Sequence, residues 1–346
     1  MRKIIIFLFL ASIFSIPVRA LDLSAPTVPK YAESMFPEDP QNLREGVRKV
    51  LRNALALLRP DLAEAGGICA GITAAVVAVS ILQTFPGSTE QTINLVGTIG
   101  ISAFMVSSAG AMINLAVDTI GQISEYGKLF LPVMAAALAA QGGITTSSGL
   151  FAGTALFDAI LSRLISRVLT PMIYCYLALG ISSAALGEEM LKKLRDLLKS
   201  FMTWSLKTVL YVFTGFLSVT GVISGPTDAS VLKVTRLTIS GMVPVVGGIL
   251  SDASEAVLVS AGTVKNAIGL YGMFAVAAIF LEPFVMIGCH YLMLRITCGI
   301  CCIFGSKRLT DLIQDFATAM GMLVGMTGAV GLMQLISTVC FMRGMG

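Results

Sequence analysis

Residues 66–82 read GGICAGITAAVVAVSIL, a run without a single charge. At about 1.5 Å per residue in a helix, it is just long enough to cross the hydrocarbon core of a bilayer. Residues 92–117, 171–186, 204–223, 267–294 and 317–342 are likewise predominantly apolar, with Lys207 and Glu282 as their charged exceptions. The second of these runs is peppered with Gly97, Gly100, Ser107, Ser108 and Gly110, small residues that let helix backbones approach closely. Composition supports the reading. Hydrophobic residues make up 55% of the 346 and charged residues 13%, and mean hydropathy is +0.86. Water-soluble domains carry about 25% charged residues, so this chain lacks the polar surface to cover itself in water. The expected fold is an all-α polytopic integral membrane protein of about six to eight transmembrane helices, with two broken or re-entrant segments and amphipathic interfacial helices.

Ahead of the first run, Arg2 and Lys3 precede an apolar stretch over 4–16 that Pro17 breaks, and Val18-Arg19-Ala20 offers small residues at the positions a signal peptidase reads. Residues 1–20 therefore read as a secretory signal peptide, or else as an uncleaved anchor helix. Either way, Leu21 onward starts on the far side of the membrane. Residues 21–65 form an extracytoplasmic lead, rich in Pro, Asp and Glu over 22–42 and amphipathic over 43–59. There Leu43, Val47, Val50, Leu51, Ala54, Leu55 and Leu58 recur at helical spacing, opposite Arg44, Arg48, Lys49 and Arg52, and Pro60 is expected to end the helix. Such a helix lies flat on lipid or packs on neighbouring protein. Residues 66–346 make up the membrane domain.

Two segments depart from simple spans. Residues 129–157, after a loop over 118–128 that carries Asp118, Glu125 and Lys128, begin apolar around Pro132 and then run into QGGITTSSG at 141–149. Irregular backbone at membrane depth survives only inside protein or beside water. This stretch is a broken helix or re-entrant hairpin, or alternatively a loop at the water interface. Residues 231–271, after a turn at 225–230, hold Pro244, Gly247-Gly248, Ser251-Asp252 and Glu255, then Lys265-Asn266. Between these segments lie two amphipathic helices. Over 156–169, Leu156, Ile160, Leu161 and Ile165 oppose Asp158, Arg163 and Arg167; over 188–202, Met190, Leu194, Leu197 and Phe201 oppose Lys192, Lys193, Arg195 and Lys199. Trp204 sits where the second would meet the headgroups. Lys and Arg in short loops favour the cytoplasm, and 188–203 and 295–308 are the strongest candidates. With both irregular segments re-entrant, six spans put both basic segments inside. With both crossing, eight spans put 188–203 outside. The charge bias favours the first arrangement.

Few residues could carry chemistry. Ionisable groups inside apolar segments are costly and usually face a cavity or a partner; here they are Asp158, Asp252, Glu255, Lys265, Glu282 and His290. Glu282 has the least escape to water, and Pro283 removes the next backbone donor. It reads either as a proton or cation site on a pathway or as a carboxyl hydrogen-bonded to a neighbouring helix. His290, two turns along, reads as an interhelical hydrogen bonder. The seven cysteines are odd in number and absent from 21–65, so they do not read as a disulfide framework. Cys298-Gly-Ile-Cys301 lacks the second ligand pair that zinc needs, and no metal or cofactor is expected. One histidine excludes chemistry needing two imidazoles within one chain, and neither a P-loop nor a dinucleotide fingerprint is present. The chain is not expected to be an enzyme. A balance of 24 Lys+Arg against 20 Asp+Glu is too weak to suggest nucleic acid.

PVVGG at 244–248, SDA at 251–253, then Lys265-Asn266-Ala267 and Gly269 together resemble the signature stretch of the stage III sporulation protein AE family. The layout agrees: signal peptide, amphipathic lead, membrane body and a proline-led segment around Pro132. The resemblance covers essentially all of the chain after residue 20. It implies a role in endospore formation, in the mother-cell membrane around the engulfed forespore. It further implies partners from the stage III sporulation A operon complex (a secretion-type ATPase, small membrane proteins and ring-forming proteins) and, indirectly, stage II sporulation protein Q. That assembly would be a channel or feeding apparatus. The resemblance carries over no catalytic residue.

The residues themselves add a paired interruption, Pro132 then Gly142-Gly143 and Pro244 then Gly247-Gly248. Broken helices place partly charged half-helix ends at mid-membrane. The two segments are expected to meet and line a pathway or docking surface, with Ser251, Asp252, Glu255, Lys265, Asn266 and Glu282 as further pathway or packing residues. Two other readings are a stand-alone secondary transporter for a small metabolite or ion, which predicts uptake by this chain alone, and a non-conducting scaffold, which predicts tolerance of Glu282→Ala.

Overall fold

Inside a bilayer the backbone has no water to bond, and a helix pairs its N–H and C=O groups within the segment. The computed structural model describes residues 25–29, 32–37, 43–84, 90–140, 144–219, 251–304 and 307–343, and among them no strand occurs. Helix α1 spans Leu43–Gln83 and α2 spans Glu90–Ala139. Helix α3, Ile144–Leu164, passes through a π-helical turn at Ile165–Leu169 into α4, Thr170–Leu186. Helix α5 is Glu189–Val219, α6 is Ser251–Phe304 and α7 is Lys307–Arg343. Among the described residues, five stretches are long and apolar enough to cross a membrane: Glu45–Gln83, Thr92–Ala139, Ser147–Leu186, Asn266–Ile303 and Lys307–Met342.

Several expected breaks are absent. Residues 118–128 are not a loop but the middle of α2. The pattern explains why: Asp118, Glu125 and Lys128 are exposed, while Ile120, Ile123, Tyr126 and Phe130 are buried. That is helical spacing with an apolar stripe facing the core. Pro60 and Pro283 lie inside α1 and α6 without ending them; each lacks the N–H for one backbone hydrogen bond. Residues 144–149, expected to be irregular, open α3. There Ser147 donates to the Ala135 carbonyl at 2.5 Å, which ties the tips of α2 and α3 together. Residues 141–143, 225–230 and 231–250 lie outside the described residues.

The π turn sits at the expected join between residues 156–169 and 171–186. Pro171 has no N–H to give and crowds the carbonyl four residues back. The ladder widens just before it, so that the Thr170 N–H bonds the Ile165 carbonyl.

Helix α7 is the axis of the bundle, enclosed by α2, α4 and α6, with its heaviest packing on α6. Helix α1 runs parallel to α6: Gly46 faces Phe274 and Gly66 faces Met293. The lead packs on protein as well. Phe36 meets Tyr271 at 4.8 Å between ring centroids, and Asn53 donates to the Ser34 carbonyl at 2.9 Å. The ends of α4 and α6 and the starts of α5 and α7 gather at one end of the bundle. Both basic segments, 188–203 and 295–308, therefore lie together, as an arrangement with both on one side of the membrane requires.

Candidate functional site

At that shared end the chain leaves α4 through Gly187, whose φ of 77° is left-handed, and starts α5 two residues later. A side chain would be strained in that conformation; a Cβ there would also sit 2.8 Å from Nη2 of Arg308. The tight turn points Lys192 and Arg195 at α7. Arg195 Nη1 bonds Oδ2 of Asp315 at 2.5 Å, with the two side chains 13% and 6% exposed. Tyr176 of α4 donates to the other oxygen of Asp315 at 3.2 Å. Gly180 makes room for the carboxylate, since a Cβ there would lie 2.9 Å from Oδ2. Lys192 reaches Glu189 at 3.3 Å and Asp311 at 3.5 Å. Burial opposes the charge of the Arg195 guanidinium, and the Asp315 carboxylate more than offsets it, so its pKa is raised.

These groups wall a cleft of about 270 Å³ that also takes in Lys307, Arg308 and Ser183. One turn further along α5 and α7 lies a groove of about 370 Å³. Arg295 stands at that groove, 5.6 Å from the centroid of the Tyr291 ring and 2.9 Å from Oε1 of Gln314.

A second polar contact lies inside the bundle. Asp158 is 4% exposed and accepts a 2.7 Å hydrogen bond from Ser124 of α2. Asp158 thus meets a partner, as expected of an ionisable group inside an apolar segment, and the apolar stripe of its helix is divided: Leu161 and Ile165 are buried while Leu156 and Ile160 are exposed. Where lipid is the solvent, apolar groups face out and polar pairs turn in. His290 is a third. Its Nδ1 lies 3.0 Å from the Met286 carbonyl of its own helix, not of a neighbouring one, and its buried Nε2 has no partner among the described residues.

The residues singled out from the sequence do not assemble into this site. Pro132 lies inside α2 and is exposed; Glu282 and Asn266 are exposed on α6. Ser251, Asp252, Glu255 and Lys265 lie on the first turns of α6, and their side chains are outside what is described. Gly142, Gly143, Pro244, Gly247 and Gly248 lie outside the described residues altogether. The cysteines are free thiols; Cys298 contacts Gln314 Oε1 at 3.4 Å. Among the described residues, no group of three or more His, Cys, Asp or Glu is placed to hold a metal.

Sequence reasoning used Arg195, Lys307 and Arg308 only to weigh topology and passed over Asp311, Asp315, Tyr176 and Ser183. A signal was present. Lys192 and Arg195 share one face of a helix, as do Asp311 and Asp315, and each pair is one turn apart.

Comparison with known proteins bears on the whole chain. No solved structure matches it. A curated relative, stage III sporulation protein AE of Bacillus subtilis (strain 168), is 26% identical over 183 residues, which is 53% of this chain and 46% of that protein. The aligned region thus spans about half the length of the curated relative. The family described as "Stage III sporulation protein AE (spore_III_AE)" matches over residues 35–344. With nearly every described residue inside that match, the chain belongs to the stage III sporulation protein AE family.

Proposed function

We propose that this chain is a multi-spanning membrane component of the channel or secretion-like complex between mother cell and forespore, required for endospore formation, where it lines or scaffolds the transport path. The family match over residues 35–344 carries the reading. Five apolar helices of crossing length support a place in the membrane. In this reading α5, which starts beside α7 and ends its described part in WSLKTVLYVFTGFLSV, is a sixth span. Both basic segments then face the mother-cell cytoplasm, as the positive-inside rule favours. The partners are the membrane proteins, ring-forming proteins and ATPase of the operon complex.

The interior favours a path shared with partners over one bored through this chain. Along α7, Phe316, Met320, Leu323, Met326 and Val330 are all buried. The buried hydroxyls of Thr327, Ser337 and Thr338 on the same helix bond carbonyls of that helix, and a closely packed interior leaves ions and metabolites little room. In this reading the conducting surface lies between this chain and its neighbours.

The test is to purify the full chain from sporulating cells with its complex and image it. The expected result is a membrane-embedded ring or cluster in which this chain contacts the ring-forming proteins. Recovery of the chain alone, together with uptake of small solutes by proteoliposomes containing it alone, would turn the assignment to a stand-alone transporter.

A further inference from the structure

The cleft where α4, α5 and α7 meet has the chemistry of an oxyanion receptor. Four cations line it against three carboxylates. Lys192 is engaged by Glu189 and Asp311, and Arg195 by Asp315. Lys307 and Arg308 have no acidic partner among the described residues. They stand at the start of α7, where unbonded backbone N–H groups add partial positive charge. Independently, the Ser183 hydroxyl lines the cleft, is 1% exposed, and has no hydrogen-bond partner among the described residues. An unmade hydrogen bond on a buried hydroxyl is costly, and a phosphate oxygen in the cleft would satisfy it.

Position and the neighbouring groove say where such a phosphate comes from. The cleft lies at the ends of three candidate spans, residues 186, 303 and 307, which the membrane placement proposed above, on which this inference rests, puts at headgroup level. Helices α5 and α7 run parallel from there: Arg195 meets Asp315, and Leu206 meets Gly325. Between them the groove continues inward over Met202, Leu206, Met322 and Met326, with Lys199 and Arg295 on its rim. Lys199 and Gly325 are exposed, so the groove is reached from the side. A basic head pocket leading into an apolar, laterally open trough fits an amphiphile. We infer that this site binds an anionic phospholipid, its phosphate held by Lys307, Arg308 and Ser183 and an acyl chain lying between α5 and α7.

Native mass spectrometry tests this on the full chain in detergent, with equimolar phosphatidylglycerol and phosphatidylcholine added. Phosphatidylglycerol should be retained in preference. Lys307→Gln and Arg308→Gln should each cut retention about fivefold, while Arg163→Gln on α3 should leave it unchanged. Gly325→Leu should weaken lipid retention with an unchanged unfolding temperature, because a Cβ there meets only Leu206, at 3.8 Å. This variant decides the matter even where the charge variants fold poorly. Equal retention of both lipids, retention indifferent to Lys307 and Arg308, or retention indifferent to Gly325→Leu overturns the inference. Full displacement of the lipid by millimolar inorganic phosphate would assign the cleft to a free phosphate species and overturns it as well.

Discussion

Asp315 shows how a membrane protein meets the cost of a buried charge. Its two oxygens face Arg195 and Tyr176, and taking away one partner strands the other. Asp315→Ala should therefore destabilise the fold by about 3–5 kcal/mol, seen as a lower unfolding temperature in detergent, and Arg195→Asp combined with Asp315→Arg should recover part of the loss. Equal stability of Asp315→Ala and the native chain would show the pair to be idle. Phe130 sets a steric counterpart: a Cβ on Gly272 would lie 1.8 Å from its ring, and Phe130 is 0% exposed with nowhere to retreat. Gly272→Ala should cost about 1–3 kcal/mol by the same measurement. The sequence shows Arg195 and Asp315 each on a charged helix face, but not that the two faces meet. Arg195 and Asp315 are 120 residues apart, and a pair that distant is visible only once the fold brings it together. The sequence marks Glu282 as costly, and the structure places it exposed on the outer face of α6, within a candidate span.

At the scale of elements, the apolar runs were read correctly as helices and the punctuation between them was over-read. Gly, Pro and scattered charges signal breaks in water-soluble chains. Here Asp118, Glu125 and Lys128 fall on the outer face of a helix whose other side is packed, so propagation wins. This is testable: Glu125→Pro would be harmless in a loop but should cost about 3 kcal/mol in the middle of α2, with loss of the purified, folded chain on size exclusion. Normal yield and stability would restore the loop. At Pro171 the expected join shows as a π turn within a helix that continues, whereas Pro60, Pro132 and Pro283 leave their helices α-helical. Periodicity over 156–169 shows two sides but not which one meets protein: Leu161 and Ile165 are buried together with Asp158, while Leu156, Ile160, Arg163 and Arg167 are exposed. On helix α5, Met190, Leu197 and Trp204 are 80%, 66% and 63% exposed, while Lys192 and Arg195 turn inward to α7.

For the whole molecule, composition alone announced lipid as the solvent, and charge placement announced that residues 188–203 and 295–308 share a side. The structure brings both to one end of the bundle. In a chain cleared of its native cysteines, Lys193→Cys and Lys307→Cys should react with an impermeant thiol reagent from one face of the membrane only, and Ala140→Cys from the opposite face. Labelling of Lys193→Cys and Lys307→Cys from different faces would dismantle this arrangement. A last consequence follows from helix length. Helix α2 has 50 residues and α6 has 54, about 75 and 81 Å at 1.5 Å each. A hydrocarbon layer about 30 Å thick, crossed at a tilt of about 40°, absorbs only about 26 residues of either. In the membrane placement proposed above, the excess projects at the end opposite the basic cleft, braced by Phe130 on Gly272 and by Ser147 on Ala135. Such a mast has a fixed height, and whatever fastens to its tip is held at a set stand-off from the bilayer.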